Sequence, residues 1–380
     1  MPSIASITEI VKRAAHDAGF ELAGIAPVRE FDELAYFPQW IEAGHAGDMK
    51  YLEARDELGR LKRESLRVAA PWARSVIVCA INYNTAQPYS TEIDDPQRGW
   101  ISRYAWGRED YHDAVLRKLR AVERRLTEAV SALEQKGSSV DTNAGPDAHN
   151  EHALRTWCYV DTGPIVERVY AKHAGVGWIG KNTCVLNQKL GSWLFLGVIL
   201  TSLELAADLP APDRCGTCTR CLDACPTHAF LGPYQLDANK CISYLTIEKR
   251  GAIPEQLREG MGRHVFGCDI CQDVCPWNRK APVSTAPEFQ PREGLVNPAL
   301  EWLVEIPAEE FREKFRGSPV RRAKRSGLRR NAIIAMGNSG NRNFVPALER
   351  LRNDADPVIA ESAAWAITKL TTPAEPRARK

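Results

Sequence analysis

Eight cysteines between positions 215 and 275 carry the clearest chemistry in this chain. The first run is Cys215-x2-Cys218-x2-Cys221-x3-Cys225, with Pro226 after it. The second is Cys268-x2-Cys271-x3-Cys275, with Pro276 after it, and Cys241 lies between the runs. The x2-x2-x3-Pro spacing is that of bacterial two-cluster ferredoxins, where three thiolates of a run hold one [4Fe–4S] cluster and the fourth reaches across to the other. Eight thiolates meet the demand of two cubes. The natural partition gives Cys215, Cys218, Cys221 and Cys275 to one cluster, and Cys268, Cys271, Cys241 and Cys225 to the other. Paired zinc sites would use the same residue type but leave the spacing without a reason. Cys79, Cys158 and Cys184 fall outside the pattern and read as small core residues.

Clusters of this kind pass electrons one at a time and rarely act on a substrate. A simple carrier has no use for roughly 200 residues before the clusters, so the residues favour an enzyme with a second redox centre, which they do not name. The glycine-rich GVGWIGKNT at 175–183 is no phosphate loop, because it has G-x2-G-K-N where G-x4-G-K-[ST] is needed. Asp161 ends an apolar stretch and precedes Thr-Gly-Pro. It reads either as an Asx-turn cap for the next helix or as an acid. Residues 311–330 hold nine Arg and Lys against the single acid Glu313, in a chain whose net charge is only +2. A local basic surface on a near-neutral protein points to one anionic contact zone.

The elements that must position these residues follow from periodicity. Residues 4–18 have helical spacing, 21–28 and 74–83 read as strands, and 113–136 as a long helix. A polar loop is expected at 137–151, a strand at 157–161, a helix at 165–174 and an apolar strand at 192–201. Three short helical patterns close the chain at 327–338, 343–353 and 357–370, and two of them resemble helices of HEAT-type repeats. The expected class is α+β: a mixed α/β domain over 1–205, a ferredoxin-like domain over 206–280 and HEAT-like helices over 281–380 that cap the cluster region. The first residues form an amphipathic helix rather than a secretion signal. The most apolar stretch, 193–201, is too short to span a bilayer. A cytoplasmic protein is therefore expected, and eleven cysteines there call for metal rather than disulfides. No heptad argues for an oligomer, so a monomer is expected.

Several strings carry a family resemblance. They are GCDICQDVCPWN (267–278) with the first cysteine run, SRYAWG (102–107) with Asp110, Tyr111 and His112, VDTGP (160–164), GWIGKN (177–182) and CISYLTIE (241–248). Together they resemble the epoxyqueuosine reductases over nearly the whole chain, with the 137–151 loop longer than the family needs. The resemblance implies that the missing centre is cobalamin, held in the N-terminal domain. It implies reduction of epoxyqueuosine to queuosine at the wobble position of tRNA, with electrons from an external low-potential donor. It makes Asp161 the proton donor and places Tyr104 near the corrin face. It further implies cofactor contacts from Arg63, Asp161, Lys181, Asn182, Thr183, Ser243 and Thr246, with Gly175, Gly177 and Gly180 letting backbone approach the ring. Arg103, Tyr111 and His112 belong to the same aromatic–basic stretch, and His112 reads as structural rather than as a cobalt ligand. Arg321, Arg322, Lys324, Arg325, Arg329 and Arg330 become tRNA phosphate contacts, and Trp106 a candidate to stack on the flipped base. The alternatives are a reductive dehalogenase-like cobalamin enzyme acting on small molecules, and a non-catalytic electron-transfer module.

Overall fold

The computed structural model describes residues 4–137 and 154–372; the polar stretch expected at 137–151 lies outside them from 138 onward. Helix α1 (Ile4–Asp17) buries Ile7, Val11, Ala14 and Ala15 on one face and leads into strand β1 (Leu22–Pro27). Strand β2 (Ser75–Asn82) is buried at every position. Helix α2 (Tyr111–Gly137), strand β3 (Thr156–Tyr159), helix α3 (Glu167–His173) and strand β4 (Leu194–Thr201) complete the first layer system. The sheet order is β1-β2-β4-β3, antiparallel throughout.

Strand alternation explains why β2 carries no polar face. Ile77, Cys79 and Ile81 pack with α1 and α2, while Val76, Val78 and Ala80 pack under α3. Cys79 and Cys158 belong to this core, and burial pushes both thiols up. The sheet therefore has helices on both faces, and its strand ends present the loops that carry chemistry.

The cluster segment continues into helix α4 (Ile242–Ile247), and the chain closes with α5 (Lys324–Asn338), α6 (Val345–Leu351) and α7 (Pro357–Thr371). One core joins Ile101 and Trp106 of the first segment to Val265, Phe266, Phe315, Leu328 and Met336. The positions near 205 and 280 are thus not boundaries between separate cores. Strand His264–Phe266 pairs in parallel with Trp100–Ile101, and Asn331 of α5 donates to the carbonyls of Thr246 and Val265. Among the described residues no helix is long and apolar enough to cross a membrane.

Candidate functional site

Two short helices, Arg220–Asp223 and Ile270–Asp273, pack together, each containing one cysteine of its run. Cys241 sits at the N-cap of α4. Cys215, Cys218, Cys221 and Cys275 line one cavity, together with Lys181, Asn182, Leu186, Arg220, Pro276 and Trp277. Cys268 lies within electrostatic reach of Cys241 and Cys225, and Cys271 of Cys268 and Cys241. Burial first, then neighbouring thiols, push Cys241, Cys268 and Cys275 up, and Cys221 to about 11, while the hydrogen bond with Cys184 and then burial raise Cys271. Such crowded thiols ionise when a cation is supplied. Among the described residues no three His, Cys, Asp or Glu side chains gather as ligands of one ion. Each group of four thiols matches the four irons of one cube.

The second centre of interest lies past the end of β3. Asp161 takes φ 58, a left-handed turn that leaves its side chain 61% exposed. Its backbone N–H donates to Glu167 Oε1 at 2.7 Å, and the Tyr111 hydroxyl donates to its Oδ2 at 3.0 Å. His112 Nε2 stands 3.9 Å from the same oxygen, while its Nδ1 is 2.8 Å from Asp110. The N-cap of α3 is Val166, so the Asp161 carboxylate is not the cap that an Asx-turn reading requires. Burial, then the Asp161 carboxylate, raises the pKa of Glu167; the same two causes hold the Tyr104 and Tyr111 phenols well above their usual range.

Tyr104 links this face to the clusters. Its ring meets Tyr111 edge-on at 5.9 Å, and a Cβ placed on Gly267 would touch its Cε1 at 3.4 Å. Gly267 has φ 69, would clash with Ser102 if it carried a side chain, and immediately precedes Cys268. Around the rim, Arg63 donates to the carbonyls of Tyr51 and Gly163, and Arg322 pairs with Glu248 while lying over the Tyr51 ring. Among the described residues the hydroxyls of Tyr104 and Ser243, both half-buried, have no hydrogen-bond partner. An unpaired Tyr104 hydroxyl beside an exposed carboxylate suits a large ring that brings its own amides, so Arg63, Tyr104 and Asp161 fit a corrin.

Other expected contacts are spent elsewhere. Thr246 is 1% exposed, and its hydroxyl donates to Ile242 and accepts from Gly267. Asn182 is buried on the carbonyl of Cys271, and Lys181 reaches the carbonyls of Gly216 and Cys218; both brace cluster loops. Thr183 gives its carbonyl and hydroxyl to Arg168. Gly177 and Gly180 face no open space: a Cβ would fall 2.3 Å and 2.2 Å from atoms of Leu186, so they serve a tight hairpin. Arg103 is buried between Tyr89, Trp106 and Trp193 and donates to Asn84, Thr85 and Gln87, which makes it structural. Trp106 is fully buried and cannot stack on a base.

The basic segment also divides. Arg321, Arg322 and Lys324 are exposed, Arg325 and Arg329 are half-buried on carbonyls of Ile306 and Val304, and Arg329 pairs with Asp354. Arg330 is 2% exposed and cannot reach a phosphate. The residues that sequence reasoning missed are Glu167, Tyr51, Glu248 and Cys184. Glu248 ends the CISYLTIE string, and Cys184, hydrogen-bonded to Cys271, follows the GKNT loop. Glu167 and Tyr51 carried no local signal.

Eight thiols grouped for two cubes, next to an acid-bearing face, define an iron–sulfur oxidoreductase. A model described as 4Fe-4S double cluster binding domain matches residues 214–278, and one described as Epoxyqueuosine reductase QueG, DUF1730 matches 63–142. The epoxyqueuosine reductase of Synechocystis sp. is 44% identical over 81% of this chain and 98% of its own length. That of Pseudomonas aeruginosa is 38% identical over 97% and 96%. The solved epoxyqueuosine reductase with a tRNA-Tyr epoxyqueuosine-modified stem loop superposes at TM-score 0.80, with 32% identity over 97% of this chain and 91% of that one. The Bacillus subtilis enzyme, solved with its catalytic loop swung out of the active site, also gives 0.80, at 31% identity over 98% and 92%. The chain belongs to the epoxyqueuosine reductase family.

Proposed function

We propose that this chain is an epoxyqueuosine reductase that converts epoxyqueuosine to queuosine at the wobble position of tRNA anticodons. The carrying observation is Asp161: an exposed carboxylate held by Tyr111 and Glu167, on a face that Tyr104 joins to the residue before Cys268. Turning an epoxide into an alkene takes two electrons and two protons and releases the oxygen as water. Two [4Fe–4S] clusters and cobalamin, when bound, supply those electrons. Cys215, Cys218, Cys221 and Cys275 would hold one cluster, Cys225, Cys241, Cys268 and Cys271 the other, and Arg63, Tyr104 and Asp161 would line the cobalamin.

Asp161 protonates the departing oxygen. The Tyr111 hydroxyl occupies Oδ2 and so directs Oδ1 toward substrate, and Glu167 holds the Asp161 N–H, which keeps the left-handed turn. His112 is the nearest titratable nitrogen and can return the proton that Asp161 gives up. Arg321, Arg322 and Lys324 contact tRNA phosphates, which position the anticodon arm without reading its sequence. The C-terminal helices act as a HEAT-type pair that buttresses this side. The reading puts a monomeric enzyme in the cytoplasm, where its thiols stay reduced. No observation favours a small-molecule dehalogenase. The test is anaerobic reconstitution with iron, sulfide and cobalamin, then mass analysis of epoxyqueuosine-containing tRNA under a chemical reductant. The nucleoside should lose one oxygen; an unaltered nucleoside with fully loaded protein refutes the assignment.

A further inference from the structure

The cluster groups differ in what covers them. The group around Cys268 is roofed by α4 and the Asp269–Ser102–Arg103 junction, where Asp269 accepts from the Ser102 hydroxyl and the Arg103 N–H. The group around Cys221 is surrounded by a loop in which Asp213, Arg214, Gly216, Thr217, Thr219 and Arg220 are all exposed. An electron from outside therefore meets the Cys221 group first.

The rim of that group has a distinct chemistry. Arg220 borders the thiol cavity, and the same Arg220 lines an adjoining open cleft with Asp223, Asp273 and Arg279. Arg214, Arg220, Arg279 and Lys280 are exposed, and among the described residues none pairs with a carboxylate. The nearby acids accept from hydroxyls rather than from these cations: Asp213 from Tyr234, Asp223 from Thr219 and Asp273 from Thr91. Beside them the exposed Tyr234 reaches Asp213. Unpaired cations at the mouth of the thiol cavity fit a protein partner with an acidic face, which is the surface of a small one-electron carrier.

We propose that Arg214, Arg220, Arg279 and Lys280 form the docking surface for an acidic one-electron carrier protein, which delivers electrons to the Cys221-side cluster. In each encounter the carrier loses one electron and that cluster gains it. RNA is the other polyanion such a rim could hold. The exposed cation within electrostatic reach of Asp161, however, is Arg322, which pairs with Glu248.

The proposal rests on the reductase reading only for the presence of the clusters. The experiment uses cluster-loaded protein and the double variant Arg279→Glu, Lys280→Glu, with a reduced acidic flavodoxin as the probe. Bleaching of cluster absorbance is followed at low and high salt, beside bleaching by dithionite and affinity for the modified stem loop. The double variant should be reduced by flavodoxin at least tenfold more slowly at low salt and lose most of its salt dependence, with the extent of reduction by excess dithionite and stem-loop affinity unchanged. Unchanged flavodoxin kinetics overturns the proposal, as does a fall in stem-loop affinity at wild-type flavodoxin kinetics. Failure of epoxide reduction with dithionite would count against the reductase reading alone.

Discussion

Arg330 offers the sharpest test of how the basic segment is used. Its guanidinium donates to the carbonyls of Leu245 at 2.8 Å, Lys249 at 2.9 Å and Gly251 at 2.7 Å, and to Oδ1 of Asn331. Burial lowers its pKa to about 10, which still leaves it charged at neutral pH. The three carbonyls lie in and just after α4, the helix that begins next to Cys241. Hydrogen bonds from a charged donor contribute about 1.5–3 kcal/mol each, with incomplete additivity. Arg330→Ala strips three carbonyls of their partner and empties a packed site, so a loss of roughly 3–5 kcal/mol is expected. Arg321→Ala, at an exposed side chain, should stay within about 0.5 kcal/mol. Denaturant unfolding of the loaded protein, followed by cluster absorbance and circular dichroism, separates the two. Arg330→Ala should lower the midpoint and release iron early, and Arg321→Ala should instead reduce the salt slope of stem-loop binding by about 1. An Arg330→Ala protein with the wild-type midpoint and a reduced RNA salt slope would refute the structural role.

Three other outcomes are expected. Asp161→Asn should keep the visible spectra of its cofactors and lose roughly 100-fold or more in turnover, the usual contribution of a general acid; near-normal turnover removes it from the chemistry. Arg322→Ala, which leaves Glu248 without its partner, should weaken stem-loop affinity several-fold while changing kcat little, and an equal fall in kcat would count against a pure RNA contact. His264 is buried with Nδ1 against the carbonyl of Met261, and burial lowers its pKa to about 4, below its usual value near 6.5. The folded state therefore binds fewer protons than the unfolded one. Stability is complete above about pH 6.5 and falls by up to roughly 3 kcal/mol as pH drops toward 4. His264→Gln should show a shallower acid limb than the parent, and parallel limbs would rule the effect out.

Local rules made the thiol groups and most of the elements legible. The cysteine runs are written in short spacings, and α2, β2 and β4 follow from periodicity within their own residues. What the sequence hid is pairing at a distance. Nothing near 76 or 198 says that β2 and β4 lie side by side, or that the sheet is antiparallel throughout. The basic segment misled because charge runs usually face water, yet α5 is enclosed on nearly all sides from Ala332 to Gly337 and turns Arg330 inward to carbonyls. Thr246 and Asn182 misled for a related reason: a polar residue beside a cluster ligand is as useful for bracing the loop as for touching a cofactor. Asp161 was visible as a carboxylate at a strand end. Its supports, Tyr111 and Glu167, come from 50 residues before and 6 residues after it, and only the second is local.

The interleaving of the two thiol groups bears on how the protein is made. Cys275 stands with the early cysteines 215, 218 and 221, and Cys225 belongs with the late ones. A nascent chain that has emerged through position 270 offers no complete set of four thiols for either cube. Iron cannot be inserted cluster by cluster as synthesis proceeds. Both cups are completed within the few residues from 271 to 275, and the clamp on α4 from Arg330 and Asn331 arrives only some 55 residues later. Maturation thus acts on an essentially finished polypeptide, and a chain broken between the runs would retain neither metal centre.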